Sequence, residues 1–150
     1  MKSKIDDALA CFSDDFNCSQ SILSAYCEEF GMDKKTALKI ACGLGIGMGR
    51  LQETCGAVTG AYMLFGLMYG KFMKGDEETK EKTYSMVREF AARFIERNGT
   101  TKCREILGVN ILTEDKEKAS ELFRKICPKM VRDAAEIIED MMVSTEKQGA

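Results

Sequence analysis

The helical spacing of apolar residues is the feature of this sequence that most constrains its fold. Apolar side chains recur every three or four positions along nearly the whole chain, and no stretch alternates between apolar and polar residues as a half-buried strand does. A chain of 150 residues is long enough to bury one substantial core. We therefore expect residues 1–150 to form a single all-α domain, a bundle of about six to eight helices.

Capping residues place the boundaries of the first four helices. Residues 5–12 have the pattern of a short amphipathic helix. Asn17 followed three residues later by Gln20 is typical of a capping box and starts a second helix. Asp33 is expected to cap a third helix, and a fourth is predicted over residues 55–72.

The second half of the chain is predicted to contain a charged connection and four further helices. Residues 74–81 are interpreted as the connection, and residues 84–97 as a strong helix. A short helix, capped by a threonine, is expected over residues 100–107, and another over residues 114–126. Pro128 is the only proline and suits a first helical position, so it predicts a separate final helix with Cys127 just before it.

Charge and hydropathy exclude several classes of function. The net charge is −2, and basic residues are interleaved with acidic ones, so we expect no binding to nucleic acid. The most apolar stretch, residues 57–73, is short and interrupted by glycines, which argues against a membrane span. Residues 1–7 contain no apolar signal core. A cytoplasmic location is the expectation from these patterns.

The absence of histidine excludes more chemistry. Without histidine there is no Ser-His-Asp or Cys-His catalysis, and no zinc or haem ligated by an imidazole. Any proton transfer falls to Asp, Glu, Lys, Tyr or a thiol. The sequence therefore directs attention to its cysteines.

Seven cysteines are many for a chain expected in a reducing compartment, where stable disulfides are rare. Four of them fall where the sequence signals the start of a helix. The first turn of a helix carries unpaired N–H groups and partial positive charge, which favour a thiolate over a thiol. These four redox candidates are Cys18, Cys55, Cys103 and Cys127.

The four candidate cysteines lie on different predicted helices, so only tertiary folding can bring them together. We expect folding to gather them into one electropositive pocket, where they could hold a metal, an iron–sulfur centre or a redox-active disulfide. Beside Cys55, the small residues Gly56, Ala57 and Gly60 would leave room for a bulky inorganic group or a close backbone. They are therefore candidate cofactor-binding residues.

The other three cysteines have a simpler interpretation. Cys11, Cys27 and Cys42 each lie within an apolar helical pattern and away from a cap, so they are expected to fill core space. Glycines alternate with apolar residues over positions 43–49, which predicts a flexible approach to the Cys55 helix that could also line the site and let a ligand approach the backbone. Small-residue pairs on that helix, together with an apolar final helix, are compatible with a homodimer.

Several of these motifs together resemble a known family. The segments Phe16-Asn17-Cys18-Ser19-Gln20 and Cys55-Gly56-Ala57-Val58-Thr59-Gly60-Ala61, followed by Cys103 and Cys127, resemble the CGAxxG family of redox-active proteins over nearly the whole chain. The resemblance implies a small, helical, cytoplasmic protein with a redox role. The family is also similar to the cluster-bearing helical domain of split-Soret cytochromes. That similarity implies an iron–sulfur centre ligated by Cys18, Cys55, Cys103 and Cys127.

Three functional hypotheses follow. The first is an iron–sulfur or other metal–thiolate centre that exchanges electrons with a redox partner protein or a small-molecule donor or acceptor, since four thiolates match the ligand number of a two-iron or four-iron cluster. The second is metal-free thiol–disulfide chemistry by two of the four cysteines. The third is a helical binding or assembly module with structural thiols. Four separate helices suit a central ligand better than a local pair.

Overall fold

The computed structural model describes residues 2–149, and the side chains of residues 2–147. Within this range the chain forms seven right-handed α-helices and no β-strand, which confirms the predicted all-α class. The helices are α1 (Ile5–Ser13), α2 (Cys18–Tyr26), α3 (Lys34–Cys42), α4 (Gly56–Tyr69), α5 (Glu77–Asn98), α6 (Cys103–Leu107) and α7 (Lys116–Gly149). A 3-10 turn (Cys27–Phe30) extends α2, and a four-residue helical turn (Gly45–Met48) contains left-handed residues. None of the described helices is long and apolar enough to cross a lipid bilayer.

Local capping signals give the correct starts of α2 and α3. Asn17 Oδ1 accepts a hydrogen bond of 2.9 Å from the Gln20 backbone N–H, and Gln20 Oε1 accepts one of 3.0 Å from the Asn17 backbone N–H. Asp33 accepts a bond of 2.9 Å from the backbone N–H of Thr36. These short-range bonds need no tertiary partner, which is why the sequence predicts them.

Three predicted helix starts are wrong. Helix α6 begins at Cys103 without the expected threonine cap. Helix α5 begins at Glu77, inside the segment expected to be a connection, because Asp76 caps it through the Thr79 backbone N–H at 3.1 Å. Pro128 lies inside α7 and does not begin a new helix. A proline removes one helical hydrogen bond at a cost of about 3 kcal/mol, and a long buried face can offset that cost. Cys127 therefore lies mid-helix, away from any helix N-terminus.

The core forms around α2, which packs against α1, α3, α4 and α7. Seven of its nine residues are buried. Helix α4 packs in turn on α5, where the Phe90 ring meets Phe65 edge-on at 5.8 Å and stacks on Phe94 at 6.0 Å. Because both helices are held on several sides, their N-terminal ends, where Cys18 and Cys55 lie, are fixed in space.

A buried tyrosine joins the N-terminal helices to α7. The fully buried Tyr26 donates a hydrogen bond of 2.8 Å to Glu139 Oε1, and the same oxygen accepts one of 2.7 Å from the Lys4 backbone N–H. Burial and the Glu139 carboxylate together raise the pKa of the Tyr26 hydroxyl far above its ordinary value. This network holds α7 against α1 and α2, and so fixes the helix that carries Cys127.

The close approach of α2 and α4 depends on Gly60. A Cβ at this position would lie 2.9 Å from Ile22 Cβ and 3.0 Å from the Ser19 carbonyl oxygen. By contrast, a Cβ on Gly66 of the same helix would meet no atom within 4 Å.

We expect Gly60→Ala to destabilise the fold by about 1–3 kcal/mol because the helices must move apart. Gly66→Ala should stabilise it by about 0.5–1 kcal/mol, through helix propensity alone. Urea unfolding followed by circular dichroism measures both changes. Equal effects at the two positions would show that α2 and α4 are not in close contact.

Candidate functional site

All four candidate cysteines line one cavity of about 440 Å³. Cys18 is the first residue of α2, Cys55 directly precedes α4, Cys103 is the first residue of α6, and Cys127 lies within α7. The first three are buried and Cys127 is half-buried. Folding thus brings together thiols that lie as much as 109 positions apart in sequence (from 18 to 127). We call this space the thiol cavity.

Two chain segments pair side by side to place Cys55 and Cys103. The Cys55 backbone N–H donates to the Thr101 carbonyl at 2.7 Å, and the Cys103 N–H donates to the Glu53 carbonyl at 2.7 Å. These bonds flank a single antiparallel bridge between Thr54 and Lys102. The pairing fixes both cysteines at the same wall of the cavity.

The Gln52 side chain joins this wall to the loop that follows α6. This side chain is buried. Nε2 donates a hydrogen bond of 2.8 Å to the Val109 carbonyl, and Oε1 accepts one of 2.9 Å from the Ile111 backbone N–H. The same side chain also hydrogen-bonds to the Cys103 sulfur, and this interaction acts to lower the pKa of the thiol. The sequence pattern does not predict this role, because an isolated glutamine after a glycine-rich stretch carries no local signal.

The glycine-rich approach forms a left-handed turn. Ile46 (φ +56°), Gly47 (φ +62°), Met48 (φ +67°), Gly49 (φ +60°) and Arg50 (φ +70°) all have positive φ. A β-branched residue such as isoleucine rarely adopts this conformation, and it costs of order 1–3 kcal/mol. Backbone strain of this kind persists only where surrounding contacts impose it. Two of the five residues, Ile46 and Arg50, line the thiol cavity. The glycine-rich segment thus lines the site, as the sequence suggested it could.

Cys18 is the thiolate of the cavity. The pKa of its thiol is lowered to about 6, chiefly because the Cys55 side chain donates a hydrogen bond to its sulfur. Backbone N–H groups of Ile46, Ser19 and Cys18 itself add to this effect, whereas burial opposes it. The first turn of α2 and the left-handed turn therefore supply N–H donors to one sulfur, as expected for an anion at a helix N-terminus.

The other three cysteines do not behave as predicted from helix ends. The pKa of Cys55 is raised well above its ordinary value, first because its proton is held in the bond to Cys18 and second by burial. Burial, followed by the negative charge of Cys18, raises the pKa of Cys103 to about 11 and that of Cys127 to about 12. In the metal-free site, the pKa values therefore favour a thiolate at Cys18 and thiols at the other three positions, because burial and the charge of Cys18 both oppose further ionisation.

The reactivity of the metal-free protein should therefore depend on pH in a way that identifies Cys18. Its alkylation rate should rise as the pH increases through about 6 and level off above that value, since the thiolate is the reactive form. Iodoacetamide labelling, mapped to residue 18 by mass spectrometry, measures the profile. A midpoint near the ordinary cysteine pKa of about 8.5 would contradict the hydrogen-bonded thiolate.

The remaining predicted site residues have mixed outcomes. Gly56 lines the cavity, and a Cβ on it would lie 2.5 Å from Cys18 Sγ. Ala57 and Gly60 do not line the cavity and instead pack within the helical core. The glycine and alanine spacing therefore serves close helix packing, and only Gly56 contributes to the site.

The three cysteines outside the cavity differ in how deeply they are buried. Cys27 is fully buried, which confirms its predicted role in the core. Cys11 is half-buried, with its sulfur 3.5 Å from Ser24 Oγ. The prediction for Cys42 is wrong, because this residue ends α3 on an exposed face. Apolar periodicity alone did not distinguish the two faces at the end of this short helix.

Within residues 2–149, no three or more Cys, Asp or Glu side chains lie close enough together to hold a single metal ion. The polar part of the cavity lining consists of Asp15, Asn17, Arg50, Ser120 and Arg124, besides the cysteines. The apolar part includes three phenylalanines, Phe12, Phe16 and Phe123. The lining of the thiol cavity thus combines apolar side chains, four cysteines and a few charged groups.

Comparison with known proteins agrees with the cysteine pattern. A family model described as "Putative redox-active protein (C_GCAxxG_C_C)" matches residues 16–141, which include all four cavity cysteines. No curated protein and no solved structure matches the chain. Since the match covers most of the sequence, the chain belongs to the C_GCAxxG_C_C family of redox-active proteins.

Proposed function

We propose that this protein is an electron carrier that holds an iron–sulfur cluster on Cys18, Cys55, Cys103 and Cys127. The observation that supports the proposal is the convergence of four cysteines, from four different helices, on one cavity of about 440 Å³. Sets of four cysteines are the usual ligands of two-iron and four-iron clusters. The cluster would supply one-electron chemistry to a redox partner protein or a small donor or acceptor.

The positions of the thiols agree better with a cluster than with a single ion. Four sulfurs around one zinc ion, with bonds of about 2.3 Å, lie only about 3.8 Å apart. Within the described residues, no group of three or more Cys, Asp or Glu side chains has the arrangement of a single-ion site. The four ligands of a cluster are shared among several irons, so the four cysteines need only line one cavity.

The residues of the chain would perform three tasks at such a centre. Cys55, Cys103 and Cys127 lose their protons when they bind metal, as thiol ligands do. The backbone N–H groups beside Cys18 stabilise negative charge on its sulfur. The phenylalanines of the lining would place apolar surface beside the cluster, and solvent exposure is one of the properties that set a cluster's reduction potential.

Purification in the absence of oxygen tests this proposal. We expect a coloured protein with visible sulfur-to-iron charge-transfer absorption, and with iron and acid-labile sulfide in equal amounts. A colourless protein with full helicity and no iron after reconstitution with iron and sulfide would overturn it.

A second candidate function is thiol–disulfide exchange by Cys18 and Cys55 in the metal-free protein. It is favoured by the opposite pKa shifts of the two thiols: the interaction with Cys55 lowers the pKa of Cys18, and the same interaction raises that of Cys55. The Cys18 thiolate attacks a disulfide, forms a mixed disulfide and releases one thiolate. The Cys55 sulfur then attacks Cys18 Sγ, so that the second half of the substrate leaves as a thiolate and the Cys55 proton passes to solvent or to a leaving group.

Trapping distinguishes the two candidates. If exchange occurs, Cys55→Ser should stop the reaction at the mixed disulfide on Cys18, and the wild type should yield a Cys18–Cys55 disulfide in peptide maps. If the protein is instead a binding module with structural thiols, substitution of all four cysteines by serine changes stability and no redox property. Absence of the mixed disulfide in Cys55→Ser and of the Cys18–Cys55 disulfide in the wild type would rule out exchange.

A further inference from the structure

Two arginines lie on the wall of the thiol cavity, and the mechanisms proposed above use neither. Arg50 ends the left-handed turn, and Arg124 lies in α7, three residues before Cys127. Both residues are exposed to solvent. Among residues 2–147, neither guanidinium has a carboxylate oxygen within 4.0 Å. The two positive charges are therefore available to a ligand.

The rest of the lining defines the chemistry of that ligand. Asp15 is the only carboxylate on the cavity wall within the described residues, so cationic groups outnumber it by two to one. Guanidinium groups bind carboxylates through paired, planar hydrogen bonds. Phe12, Phe16 and Phe123 add apolar surface to the same cavity lining. A small molecule with an apolar middle and anionic ends fits this arrangement.

We propose that the thiol cavity selects small disulfides that carry carboxylate groups, with Arg50 and Arg124 holding the carboxylates while the sulfur–sulfur bond reaches Cys18. This selection depends on the thiol–disulfide chemistry given above as the second candidate function. The electron balance is that of the exchange reaction described above. The Cys18–Cys55 dithiol loses two electrons and becomes a disulfide, while the bound disulfide gains them and leaves as two thiols or thiolates.

Charge selectivity is the quantity to measure. The probes are three small aliphatic disulfides that differ mainly in charge: dithiodipropionate is anionic, hydroxyethyl disulfide is neutral and cystamine is cationic. Each reacts with the reduced, metal-free full chain, and the rate at Cys18 is obtained from mass spectrometry at timed quenches. Rates are divided by those of a small free thiol, so that intrinsic differences between the disulfides cancel.

We expect the double variant Arg50→Gln/Arg124→Gln to react about three- to tenfold more slowly with the anionic disulfide, a range set by two solvent-exposed ion pairs. The neutral disulfide should react at an unchanged rate, and the cationic one faster. Added salt should remove most of the difference, because the interaction is electrostatic. The double variant Arg88→Gln/Arg132→Gln is the matched control, since it also removes two positive charges, from exposed sites outside the cavity lining.

An anionic rate that is the same in the double variant and in the wild type would overturn the selection. Failure of exchange itself has a different signature, because then the neutral disulfide does not react either. In that case the alkylation of Cys18 by iodoacetate, which is anionic, is compared with that by neutral iodoacetamide. Loss of the iodoacetate preference in the double variant supports an entrance at which the two arginines attract anions, and an unchanged ratio, or no reaction with either reagent, overturns it.

Discussion

Serine at any one of positions 18, 55, 103 and 127 is expected to remove most of the iron from the anaerobically purified protein. Each of these cysteines lines the same cavity, so each would supply one ligand to the same cluster. A hydroxyl is a poor ligand for iron in this setting, and loss of one thiolate leaves a coordination position open. We expect iron content to fall by at least about fivefold in every single variant, as measured by elemental analysis alongside the visible spectrum.

Two other cysteines provide the controls for this series. Cys42 is exposed and Cys27 is buried in the core, and neither lines the cavity. Cys42→Ser and Cys27→Ala should therefore retain wild-type iron content, although the second will lose some stability. Circular dichroism shows whether each variant is folded. A folded Cys103→Ser or Cys127→Ser variant with full iron content would remove that residue from the ligand set.

Gly47→Ala is expected to destabilise the protein by about 3 kcal/mol or more, through backbone strain and steric overlap together. Gly47 has φ +62°, and a Cβ there would lie 2.5 Å from Gln52 Cα, 2.6 Å from the Glu53 backbone nitrogen and 2.7 Å from Cys103 Cβ. Backbone atoms cannot turn aside as a flexible side chain can. The substitution should also displace the wall that holds Cys103, and so weaken iron binding in the folded fraction.

Gly43→Ala is the matched control, because Gly43 has φ −71° and a Cβ there meets nothing within 4 Å. Denaturant unfolding of the two variants isolates the effect of position 47. A change of less than about 1 kcal/mol in Gly47→Ala would mean that the left-handed turn is not a rigid part of the site.

The fold could be predicted from the sequence where the signal is local. Asn17, Gln20 and Asp33 satisfy backbone N–H groups within one helical turn of themselves, so their roles follow from spacing alone. Pro128 could not be placed correctly in this way. Its effect on helix α7 depends on the packing of both flanking segments, which is a tertiary property.

The site could be predicted only in outline. The recurrence of cysteine at three true helix starts indicated a shared location, and the cavity contains all four residues. The sequence could not predict that, among the four cavity cysteines, the pKa is lowered at Cys18 and raised at the other three, because each pKa depends on burial and on the charge of its neighbours. The roles of Gln52 and Arg50 could not be predicted either, since an unusual left-handed turn brings these two residues to the site.

The pattern of thiol protection is the measurement that most directly tests the proposed centre. The protein, purified without oxygen and with iron bound, is treated under native conditions with an excess of iodoacetamide, and all seven cysteines are then mapped by mass spectrometry. We predict that Cys18, Cys55, Cys103 and Cys127 are protected together, and that removal of iron by a chelator ends the protection of Cys18 while Cys42 reacts in both states. Labelling of Cys18 at the same rate with and without iron, or protection of a different set of cysteines, would contradict a single four-cysteine centre.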